Sequence, residues 1–129
     1  MRRECLERMG PDELDLYGRA VGADVSHASD PREKARLIER RRARTAVVRA
    51  LGIDFEVPYK ALHDKRVSDL LAERGRTDEQ TDELIGLLLG EDQKGELYAA
   101  CTDEDGTVDV DALAYAFVRL LTSDELKNL

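Results

Sequence analysis

The chain has 129 residues, 42% of them hydrophobic, 5% aromatic and 37% charged, with no tryptophan and a formal net charge of −8. That length allows one domain with a real if modest core of Leu, Val, Ala and Ile, a composition that suits helices. No run approaches the ~20 apolar residues needed to cross a bilayer, and the start "MRRECLERMG" lacks the apolar stretch of a signal peptide. Cys5 and Cys101 lack metal-ligand spacing and have two readings: a disulfide between them or, the preferred one, free thiols of a cytosolic protein. The charge is uneven. Residues 1–76 carry 17 Lys/Arg against 14 Asp/Glu, while residues 77–129 carry 3 against 14. The acidic C-terminal part disfavours nucleic acid and favours solubility or a basic partner.

"RRECLERM" opens the chain as a short helix, interrupted at Gly10-Pro11. "PDELDLYGRAVG" forms a second, with Pro11 in its first turn and Gly22 as its stop. Residues 1–30 thus read as an N-terminal helical extension, and residues 31–129 as a single mostly helical domain. In "DPREKARLIERRRAR", Asp30 is the N-cap and Pro31 the first helical residue. Leu37 and Ile38 give an apolar patch, which ends at Arg40, Arg41, Arg42 and Arg44.

"RTAVVRALGIDFEVPYKAL" has two readings. The preferred one is a β-hairpin near 45–58, from the β-branched and aromatic residues Thr45, Val47, Val48, Phe55 and Val57, with "LGID" as the turn. The alternative extends the preceding helix to Leu51 and stops it at Gly52.

Beyond Pro58 the pattern is helical. "HDKRVSDLLAERG" has Asp64 as a cap and Val67, Leu70 and Leu71 on one side. "TDEQTDELIGLLLG" opens on a Thr77/Gln80 capping box, concentrates leucines as the most buried helix, and ends at Gly90. "EDQKGELYAAC" is shorter. "VDALAYAFVRLL" carries a Leu113, Phe117 and Leu120 stripe, flanked by Ala116 and Leu121, and "TSDELKNL" restarts with Ser123 as a cap. The expected fold is mainly α: five to seven short helices with one small hairpin.

"CTDEDGTVDVDAL", residues 101–113, is the stretch closest to a chemical motif. With Gly106 at position 6 of an EF-hand loop, Asp103, Asp105 and Asp109 fall at positions 3, 5 and 9. Position 1 is Cys101, a poor ligand for a hard cation, and position 12 is Ala112 where a bidentate glutamate belongs. The three aspartates are therefore weak metal candidates. A tight turn at Gly106, followed by a helix capped by Asp109, explains the same residues.

No other pattern suggests catalysis. His27 and His63 stand apart from carboxylate or cysteine partners, no Gly-rich loop precedes a phosphate-binding lysine, and no serine has a nucleophile context. The expectation is a non-enzyme without a cofactor. "ERRRARTAVVR" is the one concentrated positive feature. It reads first as a solvated helix face and next as a surface for an acidic protein partner through Arg40, Arg41, Arg42 and Arg44. Nucleic acid comes last, because stacking aromatics are missing there.

The block "TAVVRALGIDFEVPYKALHDKRVSDLLAE", with "LIGLLLGEDQKGEL" and "DEDGTVDVDALAYAFVRLL" after it, resembles the small tail assembly chaperones of long-tailed bacteriophages and prophages. The resemblance covers roughly residues 45–121, and the "RVSDLLAE" and "LLLGEDQ" steps carry most of it. It implies a non-enzymatic protein of the host bacterial cytosol that keeps the tape measure protein soluble and helps recruit the major tail protein, with room for a homo-oligomer and no membrane or nucleic-acid partner. Many members of that family are made in two lengths by translational frameshifting, which leaves room for this chain as the shorter form. Residues 1–30 depart from the family pattern. Two other readings compete: a calcium-responsive binding module built on the 101–113 loop, and a DNA-binding regulator built on the arginine run.

Overall fold

The computed structural model describes residues 1–129. In chain order it contains α1 (Arg3–Arg8), α2 (Pro11–Ala20), α3 (Pro31–Arg42), β1 (Thr45–Ala50), β2 (Ile53–Pro58), α4 (Tyr59–Leu62), α5 (Lys65–Ala72), α6 (Asp78–Ala100), α7 (Val110–Leu121) and α8 (Asp124–Lys127). The mainly helical class with one two-stranded antiparallel sheet is as expected. No helix is long and apolar enough to cross a membrane.

The chain divides into two compact units, Met1–Arg44 and Thr45–Leu129. The boundary expected at residue 30 is therefore wrong by one helix. α3 buries Ile38 with Leu6, Leu14 and Val25 of the N-terminal unit, so it completes a three-helix cluster. Lys34, one turn before Ile38, is also buried and holds α3 to α2 through an ion pair with Asp15. Asp30 caps α3 by accepting from the Arg32 N–H (2.9 Å). The N-terminal unit carries 11 Lys/Arg against 9 Asp/Glu (+2), and the C-terminal unit 9 against 19 (−10).

The C-terminal unit is organised on the hairpin, and the helical alternative for residues 45–51 does not form. β1 and β2 pair in antiparallel register, with Val48 opposite Phe55 and Ala50 opposite Ile53. That register leaves Leu51 and Gly52 as a two-residue loop, both at positive φ (52° and 75°). Positive φ at both positions matches the right-handed strand twist, at about 1–2 kcal/mol for a leucine. Leu51 also packs against the core. Side chains alternate across the sheet, so Ala46, Val48, Ala50, Phe55 and Val57 all face inward. α6 packs on β2, while α7 and α8 pack on β1. Phe55 is wholly buried among them, which stabilises the fold by roughly 1.5–3 kcal/mol.

α6 bends back on itself. Its Thr77/Gln80 capping box is in place, and the first half buries Leu84, Ile85, Leu88 and Leu89. At Gly90 the backbone leaves helical geometry (φ 78°, ψ 164°), a region open essentially only to glycine. The expected helix end at Gly90 is thus a sharp bend. The second half returns close to the first: a Cβ on Gly86 would lie 3.2 Å from the Glu91 carboxylate.

Across the bend, Lys94 Nζ and the Tyr98 hydroxyl both donate to Asp82 (2.7 and 2.8 Å). Gln93 reaches from the second half to β2. Its amide donates to the Glu56 and Leu89 carbonyls, and its oxygen accepts from the Glu56 N–H (2.7 Å). Glu56 therefore points its backbone away from β1, and Gln93 fills that outer edge.

Arg76 and Tyr59 complete the packing. Arg76 donates to the Leu70 and Leu71 carbonyls at the end of α5 and lies over the Phe117 ring. Tyr59 stacks on His63. In α5, Val67 is buried, whereas Leu71, expected on the same side, is exposed.

Replacing Gly90 with alanine is expected to destabilise the protein by about 1–3 kcal/mol, from backbone strain alone. Urea unfolding checks this, and an unchanged midpoint would contradict it. The Asp82 cluster sets a pH dependence. Burial, then the hydrogen bond to Asp82, pushes the Tyr98 hydroxyl up to about 12. A folded-state pKa above the unfolded value of about 10 favours the folded protein below that pH. That contribution is lost as pH rises from about 10 to 12. Tyr98→Phe is expected to flatten this part of the decline in unfolding free energy, and an identical decline in the variant would refute it.

Candidate partner-binding face

The 101–113 segment is a stapled turn. Thr102 and Val108 form an isolated antiparallel bridge. Asp103 N–H donates to the Thr107 carbonyl (2.8 Å), and Gly106 N–H to the Asp103 carbonyl (2.9 Å), with Gly106 at φ 88°. The Asp105 carboxylate accepts from the Thr107 N–H, the bond that holds its pKa below the usual carboxylate range. Asp109 accepts from the Asp111 and Ala112 N–H groups (2.9 and 3.1 Å) and so caps α7.

The Asp105 and Asp109 carboxylates thus accept bonds of the turn and of the helix cap, while Asp103 contributes through its backbone. No three His, Cys, Asp or Glu side chains of the chain are grouped to hold a metal ion, so Asp103, Asp105 and Asp109 do not form a ligand set. Cys101, at the first loop position, is a buried free thiol. Burial, with the nearby Asp109 charge second, pushes its pKa up, which keeps it a neutral thiol.

The turn delivers α7 in a fixed direction, and α7 carries the feature best suited to binding. Only Asp111 and Arg119 are charged among its twelve residues. Its inward side is centred on Ala116 and Leu120, with Leu113 and Phe117 partly buried beside them. The expected stripe and its flanks are thus the side that meets the core, with Ala116 and Leu120 buried more deeply than Leu113 and Phe117. The remaining apolar residues face outward. Val110, Tyr115 and Val118 are 72%, 56% and 57% exposed, Ala114 is exposed between them, and Val108 precedes them in the bridge. Val110, Ala114 and Val118 recur every four residues, so they form one stripe along the helix.

A contiguous exposed apolar stripe is a feature that interaction surfaces share. Exposed Asp103, Glu104, Asp105 and Asp111 border its N-terminal end, in a unit of net −10. On such a surface apolar burial would supply affinity, and an acidic margin would select orientation and charge. The arrangement fits an amphipathic helix with basic flanks.

The arginine run is only partly available for a partner. Arg41 donates from Nε to the Val21 carbonyl (3.1 Å), which ties the end of α3 to the end of α2. Arg40 and Arg44 are exposed and Arg42 is half-buried. Basic residues in the last turn of α3 also complement the helix dipole.

Val110, Tyr115 and Val118 were not singled out as a site from the sequence. The available signal was an excess: "VDALAYAFVRLL" has more apolar residues than one buried stripe can use.

If the loop is structural, Asp109→Ala costs about 1 kcal/mol through loss of the cap, and its Tm and that of the parent are equally unmoved by millimolar calcium. A calcium-dependent rise in Tm that Asp109→Ala removes would restore the metal reading. No protein-family model, no curated protein and no solved structure matches this chain.

Proposed function

We propose that this protein is a non-enzymatic assembly chaperone of the long-tailed phage type, which binds the tape measure protein along α7 and keeps it soluble during tail assembly. The single observation that carries the reading is the exposed Val110–Ala114–Val118 stripe, with Tyr115 beside it, on an acidic unit. A long helical client presents apolar stripes of its own, and an unpartnered apolar helix face offers them a complementary surface. The C-terminal unit begins at Thr45, where the resemblance to these chaperones also begins. The bacterial cytosol and the major tail protein as a second partner belong to the same proposal.

Co-expression with a tape measure protein from the same genome tests it. The intact chain is expected to move the tape measure protein into the soluble fraction. A Val110→Asp/Val118→Asp variant, altered only at exposed positions, is expected to bind it about tenfold more weakly while keeping its own Tm. A tape measure protein that stays insoluble beside the intact chain rules the reading out.

A further inference from the structure

The N-terminal unit has a surface of its own that the α7 reading leaves unused. A groove of about 610 Å³ runs along α1 and α3, with Leu6, Met9, Leu14 and Ala35 contributing apolar lining. That volume is in the range of built binding clefts. Arg32 and Arg36 line it from one side, and Arg40 continues the same row one turn further on.

These three arginines are four residues apart, so they share one face of α3. All three are exposed, and none takes part in an ion pair of the protein. The two glutamates on the groove, Glu7 and Glu39, both face Arg3 at 3.5 Å. Arg3 thus engages both carboxylates of the rim, and with Arg32, Arg36 and Arg40 the groove and the row that continues it carry four arginines against two glutamates, a net +2.

We propose that this groove docks an acidic amphipathic helix of a partner protein. Leucine-like side chains of such a helix enter over Leu6, Met9 and Ala35, and its flanking carboxylates meet the arginine row. Guanidinium groups suit this role because they pair with carboxylates in a bidentate fork. A nucleic acid would find the positive row but no aromatic platform along the groove. An acidic partner also separates this surface by charge from the α7 face, whose acidic margin repels it.

A fluorescein-labelled helical peptide of leucine and glutamate, with leucines at i, i+3 and i+7, is the probe. Its counterparts carry lysine in place of glutamate or glutamine in place of leucine. Fluorescence anisotropy against the full chain is expected to show binding of the first peptide alone, weakening as salt is raised. Arg32→Glu/Arg36→Glu is expected to weaken that binding about tenfold or more, with circular dichroism and Tm unchanged because both side chains are exposed. The proposal is overturned if the acidic and lysine peptides bind equally, if the acidic peptide does not bind, or if the folded double variant binds it as well as the parent. Displacement of the peptide by a short DNA duplex at equal concentration would assign the groove to nucleic acid and overturn it equally.

Discussion

The period-two alternation of a hairpin decides where everything in the C-terminal unit must go. Once Thr45–Ala50 pairs with Ile53–Pro58 through a two-residue loop, Ala46, Val48, Ala50, Phe55 and Val57 can only face one way. A slip of one residue in either strand would turn that strand's share of them to water. A two-stranded ribbon cannot stand alone, so its apolar face has to be covered by helices. α6 covers β2, and α7 and α8 cover β1. The opposite face keeps Val47, Arg49, Asp54 and Glu56 in solvent, where Arg49 and Asp54 pair across the strands (3.1 Å). α7 satisfies the sheet with Ala116 and Leu120 alone at its centre. Its outward apolar side is what remains after that requirement has been met.

The two units divide the charge between them, and so divide the partners they suit. The C-terminal unit places an apolar stripe in an acidic setting, while the N-terminal unit places an apolar groove beside unpaired arginines. A chain of net −8 read as a whole hides the second surface. The acid cluster at residues 103–105 belongs to this pattern as well. It is held by turn bonds and marks the margin of the α7 stripe.

Local chemistry was legible in the sequence because it depends on residues a few positions apart. The caps at Asp30, Asp64, Thr77, Asp109 and Ser123 all accept the backbone bonds that their positions imply. The hairpin was legible from β-branched residues, and the break in α6 from Gly90. The unit boundary was not, because the stripe that commits α3 to α1 and α2 includes Lys34, which a hydrophobic pattern counts as surface. Its partner Asp15 lies 19 residues away. Arg76 over Phe117 and Gln93 on Glu56 were hidden for the same reason: each is a polar side chain used at long range. The α7 stripe lay in plain view as composition. Which of its residues face outward depends on how the helix is rotated against β1.

Gln93 has one more consequence, which concerns time. It is separated from Glu56 by 37 residues, so during synthesis the hairpin emerges well before the side chain that closes its outer edge. That edge stays bare until α6 has formed and bent at Gly90. A bare strand edge is a template for pairing with another chain. Protection of this sheet against aggregation therefore rests on a helix made later, and fraying of the second half of α6 reopens the same edge in the finished protein.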